Sequence, residues 1–331
     1  MPAFNGDTLG GVLLIRCDTQ EKRGDNRDLS GWMIEMKKAV QNHNNYKSVI
    51  ISVFTITAVC TLLLLAGCHA SDKSRESSEV TVQSKTKLEV IRERGVLKVG
   101  TTGDYQPMSY LDPETGCYVG FDAELTEDLA DSLGVDVEYV ETSWPSLMDD
   151  TLAGKFDLAI CGITITDARK EQALMSDGYL ENGKTVLCRA EDADKYTSLE
   201  AINRPEVRVM ENPGGLNEQF AREKLPDATL IIHDANQEIP GLVASGEADV
   251  MITEVMEAGY YVGQDHRLAA PLIYEPFTHG ELGVLMPKGS EEMQNCVNTF
   301  LEKEKKSGRI DKLAEDYFFK YVDDDALEPA A

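Results

Sequence analysis

From Leu88 onward, short apolar runs alternate with amphipathic ones. VLKVGTT (residues 96–102) reads as a strand. GFDAELTEDLADSLG (120–134) spaces Phe121, Leu125, Leu129 and Leu133 four apart, which puts them on one face of a helix that Gly134 stops. VDVEYVET (135–142) alternates as a half-buried strand and WPSLMDDTLAGK (144–155) reads as a helix. FDLAICGIT (156–164) is a continuous apolar run suited to a parallel strand buried on both faces. Such a β-α-β-α-β series implies a parallel-rich sheet covered by helices. A second series follows: strand VRVMEN, helix NEQFAREKL, strand TLIIH, helix QEIPGLVASGE, strand ADVMIT and helix EVMEAGYYV. ELGVLMPKG (281–289) reads as one further strand, and helices over 291–306 and 310–320 complete the pattern. Two α/β sheets predict two lobes, with ligand at the carboxyl ends of strands in the cleft between them.

The N-terminal pattern is different. VIISVFTITAVCTLLLLAG (49–67) carries no charge, Lys37, Lys38 and Lys47 precede it, and Leu65-Ala66-Gly67-Cys68 closes it. Its length alone fits a membrane span. A basic lead, an apolar run and small residues before a cysteine make a secretory signal, and L-A-G-C resembles the lipobox of bacterial lipoproteins. The expectation is cleavage and lipidation at Cys68, with an uncleaved anchor as the alternative; both place the body outside the cytoplasm, tied to a membrane. Residues 1–32 precede a more natural start at Met33 or Met36, so 1–68 read as an upstream extension plus signal. HASDKSRESSEVTVQSKTK (69–87) is polar, Ser-rich and aperiodic, as a flexible tether would be.

A formal net charge of -26 excludes a nucleic-acid partner, because phosphate backbones are held by basic surfaces. It does not exclude a small anion, since charges beyond about 8 Å are screened at physiological salt and a local pair of cations then dominates. Beyond Cys68 the cysteines are Cys117, Cys161, Cys188 and Cys296, without CxxC or Cys/His metal spacing, so disulfides and free thiols stay open and no metal is expected. No phosphate loop, Ser/His/Asp arrangement or redox motif points to a cofactor. The histidines are scattered, and His233, after TLII, either borders the cleft or is a structural strand-end residue.

Several positions suit the binding of an anion. In VMENPGGLNEQFAREKL (209–225), Asn-Pro-Gly-Gly joins a strand to a helix. Free N–H groups at the helix start, with two glycines that permit close approach and the amides of Asn212 and Asn217, make either a carboxylate cradle or a Gly-rich turn. Arg169 follows ITITDA where a buried strand leaves the sheet, and reads as a bidentate carboxylate clamp or a solvated helix charge. Lys184, in NGKT, is a second cation at the cleft or a surface lysine. Trp144 forms a pocket wall or packs in the core, and Tyr105 and Tyr110 lie in the first loop. Glu254 and Glu257 sit three apart at a helix start; either they share a face and repel, which would raise the pKa of one, or both are exposed acids at a helix N-terminus, where negative charge is favoured.

The order GVLKVGTTGDYQPMSY, GFDAELTEDLA, FDLAICGITITDARKEQALMS, PGLVASGEADVMITE and GVLMPKG resembles the extracytoplasmic solute-binding proteins that deliver amino acids to transporters, over roughly residues 95–320. The resemblance implies a two-lobed, type II periplasmic-binding-protein-like α/β fold. It places residues 88–187 with 277–322 in one lobe and 188–276 in the other. Within that family, TSWP, GITIT followed by Arg169, YLENGKT, NPGGLNEQFAR and ITEVMEA resemble the cyclohexadienyl dehydratases, which convert prephenate to phenylpyruvate and arogenate to phenylalanine without a cofactor. Two positions depart from that pattern: Leu216 stands where those enzymes carry Thr, and Glu254 where they carry Asp. The resemblance implies Glu257 as general acid, Lys184 beside it as a catalytic cation, and Trp144 against the ring. Arg169, Thr164, Tyr105, Asn212, Gly214, Gly215 and Asn217 would hold the substrate, with Glu254 at its edge. Under the alternative, a lipid-anchored binding protein serving an ABC transporter permease, Arg169 takes the α-carboxylate of an amino acid and Glu254 its ammonium.

Overall fold

Thr86 opens the first helix, Lys87–Arg94, by a capping box: its hydroxyl accepts from Glu89 N (3.3 Å) and the Glu89 carboxylate accepts from Thr86 N (2.9 Å). Residues 85–87, expected to belong to the tether, are thus part of the described body. The computed structural model describes residues 85–319, so Cys68, the signal segment and most of the tether lie outside the described residues. Among the described residues no helix is long and apolar enough to cross a membrane.

The first sheet runs, in spatial order, Asp136–Glu141, Val96–Thr101, Leu158–Ala159, Leu285–Met286 and Leu174–Met175. Its first three strands are parallel and the last two antiparallel to their neighbours. Helix Phe121–Leu133 buries its four-spaced Phe121, Leu125, Leu129 and Leu133 in the core of this lobe, and Gly134 caps it at φ 72°. The second sheet runs Thr229–Ile232, Arg208–Glu211, Val250–Glu254, Lys184–Arg189 and Leu268–Ala269, again parallel over the first three and antiparallel beyond. Val250–Glu254 is buried throughout because Val250 and Ile252 enter one core while Met251 enters another. That two-sided burial is why ADVMIT lacks a polar face.

Three expectations need correction. The run 156–164 pairs only over Leu158–Ala159 and in a lone bridge at Thr164. Gly162 turns the chain at φ 71°, with the Tyr105 ring so close that a Cβ would come within 2.3 Å of it. The run 281–289 is two strands, Gly280–Leu282 and Leu285–Met286, broken where Gly283 packs against Ile165. Finally, Lys184–Arg189 is a central strand of the second sheet, so that lobe starts at Lys184 rather than 188. The crossing is the ladder of Leu180–Asn182 with Gly280–Leu282, reached from the second sheet a few residues after 276. Gly183 makes the close crossing possible: a Cβ there would lie 2.0 Å from the Thr278 carbonyl oxygen.

A small antiparallel sheet of Asp104–Tyr105, Ser109–Leu111 and Tyr118–Val119 sits beside the first lobe. Its strands are too short to show a period in sequence, yet they fix Tyr105 at the cleft.

Candidate active site

Strand ends of both sheets converge on one pocket. The first lobe contributes Tyr105, Trp144, Gly162, Thr164 and Arg169; the second contributes Lys184, Asn212, Gly215, Leu216, Asn217, Asn236 and Glu254. Nine of the residues singled out in the sequence thus meet here: Tyr105, Trp144, Thr164, Arg169, Lys184, Asn212, Gly215, Asn217 and Glu254.

Glu254 ends strand Val250–Glu254 and precedes helix Val255–Gln264. Its Oε1 accepts from Lys184 Nζ (2.8 Å) and Thr164 Oγ1 (2.8 Å), and its Oε2 from Tyr105 OH (2.5 Å) and Asn182 Nδ2 (3.1 Å). Burial alone would raise its pKa. The charge and hydrogen bond of Lys184, with Tyr105 and Thr164 donating, hold it below the ordinary value instead. Lys184 Nζ also donates to Asn217 Oδ1, so the lysine is fixed against the start of helix Leu216–Lys224.

Arg169 lies in helix Asp167–Gln172, where the Thr166 side chain caps the first turn. Its guanidinium turns back into the cleft and gives one hydrogen bond, from Nη1 to the Thr164 carbonyl (2.6 Å). No other partner for this group stands among the described residues, which leaves most of its donor fork toward the pocket. Trp144 presents its edge to the Tyr105 ring at 5.8 Å and donates Nε1–H to Asp104 Oδ1 (3.2 Å). It serves both readings, since it lines the pocket and also packs on the cores of the first lobe.

The glycine pair divides its work. Gly215 and Leu216 line the pocket at the helix start, as a cradle requires. Gly214 does not, which corrects the expectation that its amide would bind substrate: Gly214 N donates to Glu218 Oε2 (2.6 Å), a carboxylate of its own helix. Its need for glycine is conformational, with φ at 80° and Pro145 of the other lobe so near that a Cβ would fall 2.8 Å from the proline backbone. Gly214→Ala is expected to cost about 1–2 kcal/mol from the left-handed conformation alone and to prop the lobes apart. Thermal unfolding with and without ligand checks this: melting should fall, and ligand should restore less of it than in the parent.

Glu257 is fully buried and stands one layer behind the pocket wall rather than on it. Thr253 Oγ1 donates to its Oε2, and Asn236 Nδ2 donates to its Oε1 (3.2 Å). Burial pushes its pKa up to about 8, against the two donors, with the neighbouring charges of Glu254 and Asp104 adding to the rise. The pair at 254 and 257 therefore splits as the spacing suggested, although desolvation outweighs repulsion as the cause. Other buried carboxyls are tied elsewhere. Asp122, at about 7, accepts from Gly162 N and Tyr179 OH, while Glu211 accepts from Ile252 N within the second sheet.

Asn236 was missed in the sequence. It lies on the short turn before helix Ile239–Ser245, lines the pocket, and joins Glu257 to the Asp104 carbonyl of the other lobe (3.2 Å). The available signal was topological: HDANQE follows TLII at a strand's carboxyl end, where ligand residues gather. His233 sits on the same stretch but pairs with Glu238 (2.7 Å) and does not line the pocket. Cys161, Cys188 and Cys296 are free thiols.

Two mixed α/β lobes joined by paired crossing strands, with an arginine, a lysine and a helix start around one pocket, make the architecture of a two-lobed solute-binding protein. The chain belongs to the bacterial extracellular solute-binding proteins, family 3, which matches residues 97–320. Over 255 residues it is 38% identical to the cyclohexadienyl dehydratase of Pseudomonas aeruginosa, covering 77% of this chain and 90% of that protein. It is 26% identical over 286 residues to the ABC transporter glutamine-binding protein of Bacillus subtilis, covering 86% of this chain and 98% of the relative. Among solved structures it is similar to an ancestral amino-acid-binding protein described as a precursor of cyclohexadienyl dehydratase, with 40% identity and a TM-score of 0.66 over 70% of this chain and all of that one. It is also similar to an L-arginine-bound transporter substrate-binding protein of Streptococcus pneumoniae, with 28% identity and a TM-score of 0.65 over 71% of this chain and 99% of the other.

Proposed function

We propose that the chain is an extracytoplasmic cyclohexadienyl dehydratase that converts prephenate to phenylpyruvate, and arogenate to phenylalanine, in the interlobe pocket. The observation that carries this reading is Glu257: a fully buried carboxyl, protonated at neutral pH, hydrogen-bonded to the pocket-lining amide of Asn236. The likeness to the Pseudomonas aeruginosa enzyme supports it.

The reaction asks for two things. The ring carboxylate leaves as CO₂, and the electron pair of its C–C bond moves through the diene to expel the hydroxyl opposite. Hydroxide is a poor leaving group, so one proton must be supplied to release water. Arg169 takes one carboxylate in its open fork, and Lys184 with the helix start at Gly215 and Leu216 takes the other. Trp144 packs against the ring. The leaving hydroxyl seats against Asn236, displaces its amide from Glu257 Oε1, and receives the Glu257 proton. The protein binds, orients and protonates, and aromatisation supplies the driving force.

A transport binding protein is the second reading, and the likeness to the glutamine-binding protein over nearly all of that relative favours it; an ABC transporter permease would then be the partner. Such a carrier has no use for a buried proton donor. Mixing the full chain with prephenate, without added cofactor, separates the two. Phenylpyruvate should appear at a rate proportional to protein; tight binding of a common amino acid with no turnover would overturn the enzyme reading. Lipid attachment at Cys68 belongs to the same proposal and places the pocket at the outer face of a membrane.

A further inference from the structure

Among the residues that line the pocket, Glu254 is the one acid, and all of its acceptor capacity is taken by the protein itself. Each of its oxygens accepts two hydrogen bonds, from Lys184 and Thr164 on Oε1 and from Tyr105 and Asn182 on Oε2. A carboxylate offers about four such sites, so none is left for a ligand. From this saturation we infer that the pocket selects 2-oxo acids over the corresponding 2-amino acids, and so prephenate over arogenate. The inference rests on the dehydratase reading for its substrates but concerns the α-position, which either reading must accommodate.

An α-ammonium brings three donors and a charge into the cleft and needs acceptors there. The Thr164 carbonyl is engaged by Arg169 and Asn217 Oδ1 by Lys184, while Asn236 Oδ1 is a buried oxygen without a partner, turned away from the cleft; the neutral amide oxygen of Asn212 is the side-chain acceptor that remains on the pocket wall. To reach Glu254 the ammonium must displace a donor, leaving that group unpaired in turn. A 2-oxo oxygen is the opposite case: it only accepts, and the Arg169 fork and Lys184 supply N–H groups. Formal charge alone would favour arogenate, since two cations against one anion match a ligand of charge minus one. Local geometry outweighs it, because a buried ammonium offered one neutral amide oxygen instead of a carboxylate recovers little of the hydration it forfeits. The second negative charge of prephenate instead lies beside Arg169 and a helix N-terminus.

The test is calorimetric binding of phenylpyruvate and of L-phenylalanine to the full chain, beside initial rates with prephenate and arogenate. Phenylpyruvate should bind at least about tenfold tighter, the worth of one unmade charged hydrogen bond, and prephenate should be preferred in kcat/KM by a similar factor. Tyr105→Phe removes the one pocket-side donor to Oε2 and should move the binding ratio toward L-phenylalanine by about the same factor. Equal or tighter binding of L-phenylalanine, or a ratio that Tyr105→Phe leaves in place, would overturn the inference. Turnover of both substrates with equal efficiency would also overturn it while leaving the dehydratase reading intact. Absence of turnover with phenylpyruvate still favoured would remove the dehydratase reading alone.

Discussion

Glu257→Gln should lower kcat for prephenate by about a thousandfold, within the range of a lost general acid, while substrate binding changes little. Glutamine keeps the size of the side chain and its bonds to Thr253 and Asn236, so the pocket wall stays in place; what it cannot supply is the proton. The parent enzyme should show the matching pH dependence. Its active form is the protonated acid, so kcat holds below about pH 8 and falls as pH rises through it. Stability should move the opposite way from activity in the variant. A carboxyl with a folded pKa of about 8 and an unfolded value near 4.5 holds more protons in the folded state between those limits. The parent therefore loses stability as pH climbs from 4.5 to 8, and Glu257→Gln lacks that loss. Thermal unfolding of the two proteins across this interval should give curves that diverge steadily in favour of the glutamine variant.

Arg169→Ala carries the second large effect. The guanidinium is the pocket's one cation without a protein carboxylate opposite it, since Lys184 is already paired with Glu254. Removing one partner of a desolvated charge pair costs about 2–5 kcal/mol, which converts to roughly 30- to 5,000-fold in kcat/KM. The loss should fall mainly on KM, because the clamp holds ground state and transition state alike. Steady-state kinetics with prephenate read the split directly. Arg169→Lys should recover only part of the loss, because an ammonium keeps the charge without the planar fork.

How much of this was legible in the chain depended on the range of the interactions. Helix Phe121–Leu133 was legible because its stripe and its stopping glycine are local. The cluster of Arg169, Lys184, Glu254 and Trp144 was legible because each falls at the carboxyl end of a strand or at a crossing. From spacing alone the division of labour between Glu254 and Glu257 could be anticipated only as a split; the resemblance, not the residues, named Glu257 as the acid. Which acid stays charged is decided by Lys184, Tyr105 and Thr164, brought from distant segments. Asn236 escaped because its role depends on Asp104, 132 residues earlier in the chain. Gly214 was misassigned for a similar reason: the neighbours that determine its job are Glu218 on its own helix and Pro145 on the facing lobe. Where the strands shortened, at Gly162 and Gly283, the cause was again a side chain from elsewhere, Tyr105 and Ile165. Apolar runs report burial well, but not the point at which a packed neighbour turns them out of a sheet.

At neutral pH Glu257 should keep its proton behind the wall of the interlobe pocket, and infrared spectroscopy of its carbonyl stretch tests that most directly. The difference spectrum between the full chain and Glu257→Gln at pH 7 should contain a protonated-carboxyl band that fades as pH is raised past about 8. A difference spectrum showing only ionised carboxylate at pH 7 would contradict the account.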